Sequence, residues 1–257
     1  MCLLVLAWHS HPRYRLIVAA NRDEFHDRPA APLGPWQDSP QIVGGRDLRA
    51  GGAWLAVSNQ GRFGVVTNYR ELVRSRRSAP SRGALVPAFL QTGQSPVAYL
   101  DNLEIDAPGY AGFSLVLADD VALWYASNRT DEFRRPLLPG IYGLSNHALD
   151  TPWPKLERVR ARFNSHLATA EPDAATLFEM LADAKPAPAG AGPVTGLSPE
   201  WAHALSSPFV RHGNYGTRCS TVVLISHDGD TQIFERRFDS TGSLAGETEL
   251  ALNDSTS

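Results

Sequence analysis

The sequence predicts an α+β fold in which antiparallel sheet forms the core and helices cover its outer faces. Pairs of apolar runs separated by short polar turns occur four times along the chain. This pattern is typical of β-hairpins, which pair antiparallel. Two helical groups lie between the hairpins. Each helix must bury its apolar stripe against a sheet face, so we expect the helices on the outside.

The predicted hairpins supply eight strands, which are rich in Leu, Val, Ile and aromatic residues. Each pair of strands flanks a polar turn of two to four residues. Short turns of this kind keep the two strands adjacent in one sheet. The strand pairs are 2–9 with 14–21, 53–58 with 63–68, 113–118 with 121–127, and 221–227 with 231–238.

Four helices are predicted between these strands. Ser81 is expected to cap a helix over 83–90, and Ser95 followed by Pro96 is a start signal for a helix that runs to Leu103. The other two helices carry apolar residues at spacings of three and four, which indicates amphipathic stripes. They span 154–168 and 174–184.

The segment 185–199 is the only low-complexity stretch, and its Pro and Gly content excludes a stable helix or strand. It is predicted to be a flexible loop, either a plain surface connection or a lid beside a site. The strands after it are too few to fold alone. We therefore expect residues 1–257 to form a single domain.

Composition restricts the class of partner. The net charge is −3, which argues against a general nucleic-acid or acidic-membrane binder. No stretch approaches the roughly 20 apolar residues that span a bilayer, and the apolar start of the chain lacks a basic n-region. Two cysteines suit a reducing compartment. We expect a cytoplasmic protein without stable membrane insertion that binds a small molecule. The sequence does not indicate its oligomeric state.

Cys2 is the first candidate for chemistry. Removal of Met1 would give Cys2 both a thiol, with a pKa of about 8.5, and a free α-amine, with a pKa of about 7.7–8.0. The amine can then accept the thiol proton near neutral pH and later return it to a leaving group. The alternative interpretation is a small apolar residue at the start of a strand.

Arg22 is expected beside Cys2, because the first hairpin brings the end of its second strand back to the start of its first. A guanidinium there would favour the thiolate and could hold a carboxylate or carbonyl oxygen. The alternative for Arg22 is an ion pair with Asp23, Glu24 or Asp27.

Several separated motifs stand out along the chain, among them the string Asn-Arg-Asp-Glu-Phe. They are the segments 1–2, 21–25 with 28–29, 47–55, 67–70, 142–146, 152–155 and 215–221. Together they resemble the NRDE family, which takes its name from that string and is also called the transport and Golgi organization protein 2 family. The resemblance runs from Met1 to about Phe238.

The resemblance extends to N-terminal-nucleophile hydrolases of the penicillin V acylase and bile-salt hydrolase type, which cleave non-peptide amide bonds with an N-terminal cysteine. It implies a four-layer αββα sandwich of two antiparallel sheets with outer helices. It also implies an oxyanion-hole donor, an assisting amide, a second arginine and a carboxylate near the amine, the last being Asp23 or Glu24. The implied catalytic residues are Cys2, Arg22, Asp23, Asn68, Asn146 and Arg218.

The two asparagines have a simpler reading as turn residues, since Asn commonly ends strands. Substrate binding is assigned to Glu24, Tyr69 and Arg70. Arg70 also begins a basic cluster that either receives a carboxylate or phosphate of a ligand or is a solvated loop. The cluster comprises Arg70, Arg74, Arg76, Arg77 and Arg82.

Three functions remain open at this stage. The first is a hydrolase acting on a non-peptide amide or related acyl bond through an acyl-cysteine. The second is a non-catalytic haem or lipid/acyl-CoA binding and trafficking protein that uses the same pocket. The third is a structural partner in trafficking. We predict no metal, because His9 and His11 lack further ligands at metal spacing, and no cofactor, with haem as a ligand only under the second function.

Overall fold

The computed structural model describes residues 2–70, 79–188, 190–191 and 196–252. Within these ranges the chain forms fourteen strands and five α-helices. The strands are β1 Cys2–Trp8, β2 Tyr14–Phe25, β3 Ala30–Trp36, β4 Ser39–Asp47, β5 Leu55–Ser58, β6 Phe63–Asn68, β7 Phe113–Ala118, β8 Leu123–Ser127, β9 Arg134–Leu137, β10 Gly140–Leu144, β11 Arg211–His212, β12 Tyr215–Ser226, β13 Thr231–Phe238 and β14 Leu244–Leu252. The helices are α1 Leu85–Gln91, α2 Pro96–Asp106, α3 Pro154–Thr169, α4 Ala174–Leu181 and α5 Pro199–Ala204.

The strands form two antiparallel sheets. The first sheet has the order β10-β1-β2-β12-β13-β14, with β11 paired to β12. The second sheet runs β3-β4-β5-β6-β7-β8-β9, so each strand pairs with its neighbour in sequence. The first sheet instead combines both ends of the chain. Its central strands β2 and β12 are each 12 residues long and pair along almost their whole length.

Three apolar layers hold the four structural layers together. Leu4, Leu6 and Trp8 of β1 point between the two sheets, while the alternate residues Leu3 and Val5 pack with α3 and α4. A third cluster joins α1 and α2 to the outer face of the second sheet. Because β1 is covered on both faces, its sequence is continuously apolar instead of alternating. The expected αββα sandwich is confirmed.

The four predicted hairpins are all present, as β1–β2, β5–β6, β7–β8 and β12–β13. The sequence did not predict the two-residue strand β11 or five longer strands, which are β3, β4, β9, β10 and β14. Two of these, β3 and β9, contain proline and lie at the edges of the second sheet. Proline is tolerated there because an edge strand has one side without ladder partners. The prolines that lower the predicted strand propensity of β3 and β9 are therefore typical of edge strands.

The helices agree in place and differ at their ends. The Ser95 hydroxyl caps α2 by accepting from the Ala98 N–H, as predicted. The predicted cap at Ser81 is wrong, because its side chain makes no capping bond and residues 82–84 form a 3-10 turn before α1 begins. Helix α4 ends at Leu181, three residues before the predicted end. Among the described helices, none has both the length and the apolar composition that crossing a bilayer requires.

Two predicted features fall partly outside the described residues. Arg74, Arg76 and Arg77 of the basic cluster lie there, as do residues 189 and 192–195 of the proline-rich loop. The described part of that loop has no helix or strand before α5. At its start, Ala187 is buried and donates its N–H to the Ser206 hydroxyl at 2.9 Å.

Candidate active site

The first hairpin places Cys2 directly opposite Arg22. The two residues form a register pair between β1 and β2, so their side chains lie on the same face of the first sheet, which is the face toward the second sheet. Cys2 is half-buried and lines an open cleft of about 490 Å³ together with Arg22. The neighbourhood predicted from the hairpin is therefore present.

Arg22 is held by two long-range contacts. Its guanidinium lies 4.3 Å from the centre of the Trp54 ring, and one nitrogen, Nη2, lies 3.3 Å from Asp47 Oδ2. Only 6% of Arg22 is exposed. Its other terminal nitrogen, Nη1, is buried without a hydrogen-bond partner among the described residues. A buried N–H without a partner is costly, so this nitrogen is a source of strain on the Arg22 side chain.

Asp47 is the counter-ion that sequence reasoning missed. Oδ2 also accepts a hydrogen bond from Arg28 Nε at 2.5 Å, and Oδ1 accepts the N–H groups of Arg49 and Ala50. Burial alone would raise the pKa of Asp47, but these bonds and the charges of Arg28 and Arg22 lower it. The available signal was its place at the start of the 47–55 segment, which resembles the family.

Asn146 joins the start of β1 to the end of β6. Its Oδ1 accepts the Cys2 N–H at 3.0 Å, and its Nδ2 donates to the Asn68 carbonyl oxygen at 3.0 Å. The Ser145 hydroxyl donates to the Cys2 carbonyl oxygen at 2.9 Å. Asn146 adopts a left-handed φ of 53°, which Asn tolerates better than most residues. The Cys2 backbone is therefore fixed on both sides.

Asn68 ends β6 and belongs to the cleft wall. Its side chain is exposed and lines the cleft that contains the Cys2 thiol. An exposed carboxamide at a cleft wall has the donor required to bind a developing oxyanion. The structure thus brings Asn68 and Asn146 to Cys2 from the second sheet and from the end of β10 respectively.

Asp23 is among the residues that line the cleft, but it follows Arg22 in β2, so its side chain lies on the other face of the first sheet, next to a lysine. Asp23 is 1% exposed, and its Oδ1 accepts the Thr217 hydroxyl at 2.7 Å. Burial raises the pKa of Asp23, while the charge of Lys155 lowers it. Lys155, in the first turn of α3, is 2% exposed; burial lowers its pKa, and the charges of Asp23 and Cys2 raise it. The sequence indicated Lys155 only as part of the segment 152–155 that resembles the family.

Arg218, like Asn146, is not among the described residues that line the cleft. It occupies a β-bulge between Thr217 and Cys219, where the register of β12 against β2 shifts. Its Nη1 donates to the carbonyl oxygens of Phe25, His26 and Arg28 at 2.9–3.3 Å. The bulge thus directs Arg218 to the loop after β2, which carries Arg28 into the cleft.

The three predicted substrate-binding residues are separated in space. Glu24 lines the cleft and lies 4.0 Å from Arg28. The Tyr69 ring packs 4.6 Å from the His147 ring, with its hydroxyl 3.1 Å from His147 Nε2. Arg70 lines a second cavity and lies 5.1 Å from the Trp153 ring centre. Only Glu24 of the three is therefore placed with the Cys2 thiol.

The two cysteines differ in exposure. Burial raises the pKa of the Cys2 thiol, Asp23 raises it further, and Arg22 lowers it. A base is therefore needed to form the thiolate near neutral pH. Cys219 is 4% exposed, as expected for a core residue, and burial raises its pKa well above the usual value. Among the described residues, no group of three or more His, Cys, Asp or Glu side chains has an arrangement suited to a metal ion.

Comparison with known proteins identifies the fold and the family. The structure is similar to the Caenorhabditis elegans ortholog of N-acylethanolamine-hydrolyzing acid amidase, with a TM-score of 0.50 over 87% of this chain and 92% of that chain. At 11% identity this likeness concerns the fold alone.

Similarity in sequence is much higher to a second group of proteins. The Bos taurus transport and Golgi organization protein 2 homolog is 35% identical over 259 residues, and the Homo sapiens homolog is 33% identical over 261 residues. Each alignment covers 92% of both chains. The profile of the family described as transport and Golgi organisation 2 matches residues 1–240. The chain therefore belongs to the transport and Golgi organisation 2 family.

Proposed function

We propose that the chain, once Met1 is removed, is a cysteine N-terminal-nucleophile hydrolase that acts on a non-peptide amide or a related acyl bond. The observation that supports this most strongly is the clamp on Cys2. Asn146 holds the Cys2 nitrogen, while the Cys2 thiol faces a cleft beside Arg22. The nucleophile and its prospective base thus belong to one residue at the start of β1, and the cationic neighbour lies opposite on β2.

In the proposed reaction the free α-amine of Cys2 takes the thiol proton as sulfur attacks the acyl carbon. The new S–C bond gives a tetrahedral intermediate whose negative oxygen is stabilised by the Asn68 side-chain amide and Arg22. Collapse breaks the C–N bond, and the ammonium returns its proton to the departing amine. Water then attacks the acyl-cysteine with the amine again as base, which releases the carboxylic acid and restores the thiol.

The experiment is intact-mass analysis after incubation with an aryl carbamate, whose thiocarbamate adduct hydrolyses slowly. We expect one adduct on a chain that has lost Met1, mapped to the peptide containing Cys2. The matched control is Cys219→Ala, which removes the other free cysteine and should label at the same rate. Equal labelling of Cys219, or an equal rate in urea-unfolded protein, would contradict the proposal.

The same experiment separates the hydrolase from the haem or lipid/acyl-CoA binding alternative. A binding protein that uses this cleft would show saturable ligand binding without an adduct at Cys2. Repeated turnover of an amide by unlabelled chain, lost on carbamoylation of Cys2 and in Cys2→Ala, favours the enzyme.

Asn146→Asp is expected to move the pH dependence of labelling to higher pH. Asp retains the acceptor for the Cys2 nitrogen and tolerates the left-handed φ. Its negative charge favours the ammonium form of the Cys2 amine and so raises the pKa of that base. The rate profile against pH measures this shift. Asn146→Gly is the control, since it keeps the backbone conformation without adding charge, and its profile should move less.

A further inference from the structure

Trp54 connects the site around Cys2 with the core between the two sheets. It directly precedes β5, and its half-buried ring packs against the apolar cluster between the sheets. It lines both the open cleft and a small inner pocket, and Cys2 and Arg22 line both as well. A change at Trp54 therefore reaches the neighbourhood of the Cys2 thiol.

Asp47 by itself does not fix the orientation of the Arg22 guanidinium. Asp47 Oδ2 lies 2.5 Å from Arg28 Nε but 3.3 Å from Arg22 Nη2. Charge-assisted N–H···O bonds are usually about 2.7–2.9 Å long, so this carboxylate binds Arg28 closely and Arg22 loosely. The long side chain of Arg22 needs a second contact to hold its charged end in one place.

The Trp54 ring supplies that second contact. Arg22 Cζ lies 4.3 Å from the centre of the ring, well within the roughly 6 Å over which a cation is attracted to an aromatic face. Tryptophan attracts a cation most strongly of the aromatic side chains, and the attraction increases when water is excluded. Since only 6% of Arg22 is exposed, the contact is largely desolvated. The ring thus restricts where the guanidinium can lie.

Gly45 is the residue that leaves room for the Trp54 ring. A Cβ added at Gly45 would overlap Cζ2 and Cη2, two atoms at the outer edge of the indole. The φ of Gly45 is outside the left-handed region, so its backbone does not require glycine and the reason is space. Gly45 precedes Asp47 by two residues in β4, so both lie on one face of that strand. One strand therefore supplies the gap for the ring and the carboxylate.

We propose that Trp54, packed against Gly45, is the positioning residue that holds the Arg22 guanidinium opposite the Cys2 thiol. The register of β1 on β2 brings the two backbones together, and the ring decides where the flexible end of Arg22 lies. The inference rests on the proposed function in treating Cys2 as the nucleophile. It concerns the ionisation of the thiol and not the turnover of a substrate.

The test is the rate of Cys2 alkylation by iodoacetamide as a function of pH, measured on the processed chain and mapped by mass to the N-terminal peptide. Burial raises the pKa of the Cys2 thiol, and the charge of Arg22 lowers it. Trp54→Leu releases the guanidinium, so we expect the profile to move about 1 pH unit higher, the lower end of the usual effect of an adjacent opposite charge. Gly45→Ala, which displaces the ring, should move the profile in the same direction.

Two further variants are the controls. Trp54→Phe keeps an aromatic face but is too short to occupy the positions of Cζ2 and Cη2. Its profile should stay close to that of the wild type, and adding Gly45→Ala to it should move the profile far less than Gly45→Ala does alone. Gly34→Ala is the matched glycine control, because Gly34 lies in β3 beside β4 and an added Cβ there meets nothing within 4 Å. Its profile should not change.

Urea unfolding of each variant identifies those that fold. If Trp54→Leu does not, Gly45→Ala with and without Trp54→Phe still decides. Unchanged profiles in the folded variants Trp54→Leu and Gly45→Ala would overturn the proposal. So would an equal shift in Gly34→Ala, or an effect of Gly45→Ala that is the same with and without Trp54→Phe. The expected shifts together with no turnover of any amide would contradict the hydrolase and still support the role of Trp54.

Discussion

Chains that retain Met1 are expected to turn over acyl substrates about 10²–10⁴-fold more slowly than processed chains, the usual contribution of general acid–base catalysis. A retained Met1 converts the Cys2 nitrogen from an amine into an amide, which has no basic lone pair. Burial raises the pKa of the Cys2 thiol, so the thiol cannot rely on spontaneous ionisation at neutral pH. The base, and not the sulfur, is what processing supplies.

The comparison uses two preparations of the same sequence, made with and without methionine aminopeptidase activity and identified by intact mass. Rates of acylation and of hydrolysis are measured on both. A small-molecule alkylating reagent at high pH provides the control. At high pH the Cys2 thiol is ionised in both preparations, so the two should react at similar rates. Equal turnover by the two preparations would remove the α-amine from the mechanism.

Asp47→Ala is expected to cost about 3–5 kcal/mol of the free energy of unfolding, the usual effect of removing one partner from a buried charge cluster. Asp47 is 8% exposed and faces both Arg22 and Arg28. Its loss removes the carboxylate hydrogen-bonded to the buried Arg22 guanidinium, which still packs on the Trp54 ring. Urea titration followed by tryptophan fluorescence measures the change.

Asp38→Ala is the matched control for that variant. Asp38 makes two hydrogen bonds to Arg46 at 2.7 and 2.8 Å, a closer pairing than that of Asp47 with Arg22, but its side chain is 59% exposed. Because solvent screens exposed ion pairs, the loss of stability should be much smaller. Equal losses in the two variants would show that burial of Arg22 is not the cause.

The cost of Asp47→Ala should also depend on pH. The folded state lowers the pKa of Asp47, so the unfolded chain binds the proton more readily. The carboxylate therefore contributes its stability above the unfolded pKa of about 3.9, and this contribution disappears as the pH falls through the lower folded pKa. The difference in stability between wild type and variant should shrink in acid. A constant difference down to low pH would contradict an ionic role.

The site around Cys2 cannot be predicted from any single segment, because its residues are far apart in the sequence. Cys2 and Asn146 are 144 positions apart, and Asn146 and Asn68 are 78 apart, yet all three meet through backbone and side-chain bonds. Mutations at these residues are expected to change the packing of β1 against β6 as well as the chemistry. Stability must therefore be measured beside activity for each variant.

The sequence by itself determined the hairpin architecture and one pair of site residues. A short turn fixes the register of β1 on β2, and that register alone places Cys2 opposite Arg22. Apolar spacing in α3 and α4 determined which face of each helix is buried. These are local signals, because they depend on residues close together in the chain. The motifs in turn indicated the family, which the relatives confirm.

Only the tertiary structure decided how the remaining side chains are used. In the folded chain Asp47 forms an ion pair with Arg22, and Lys155 lies beside Asp23. A β-bulge directs Arg218 to the loop after β2. None of these partners is set by spacing or propensity. They depend on how two sheets stack and where strands slip by one residue, which is decided by packing between distant segments. Periodicity reports which face of an element is buried, but not which distant element lies against it.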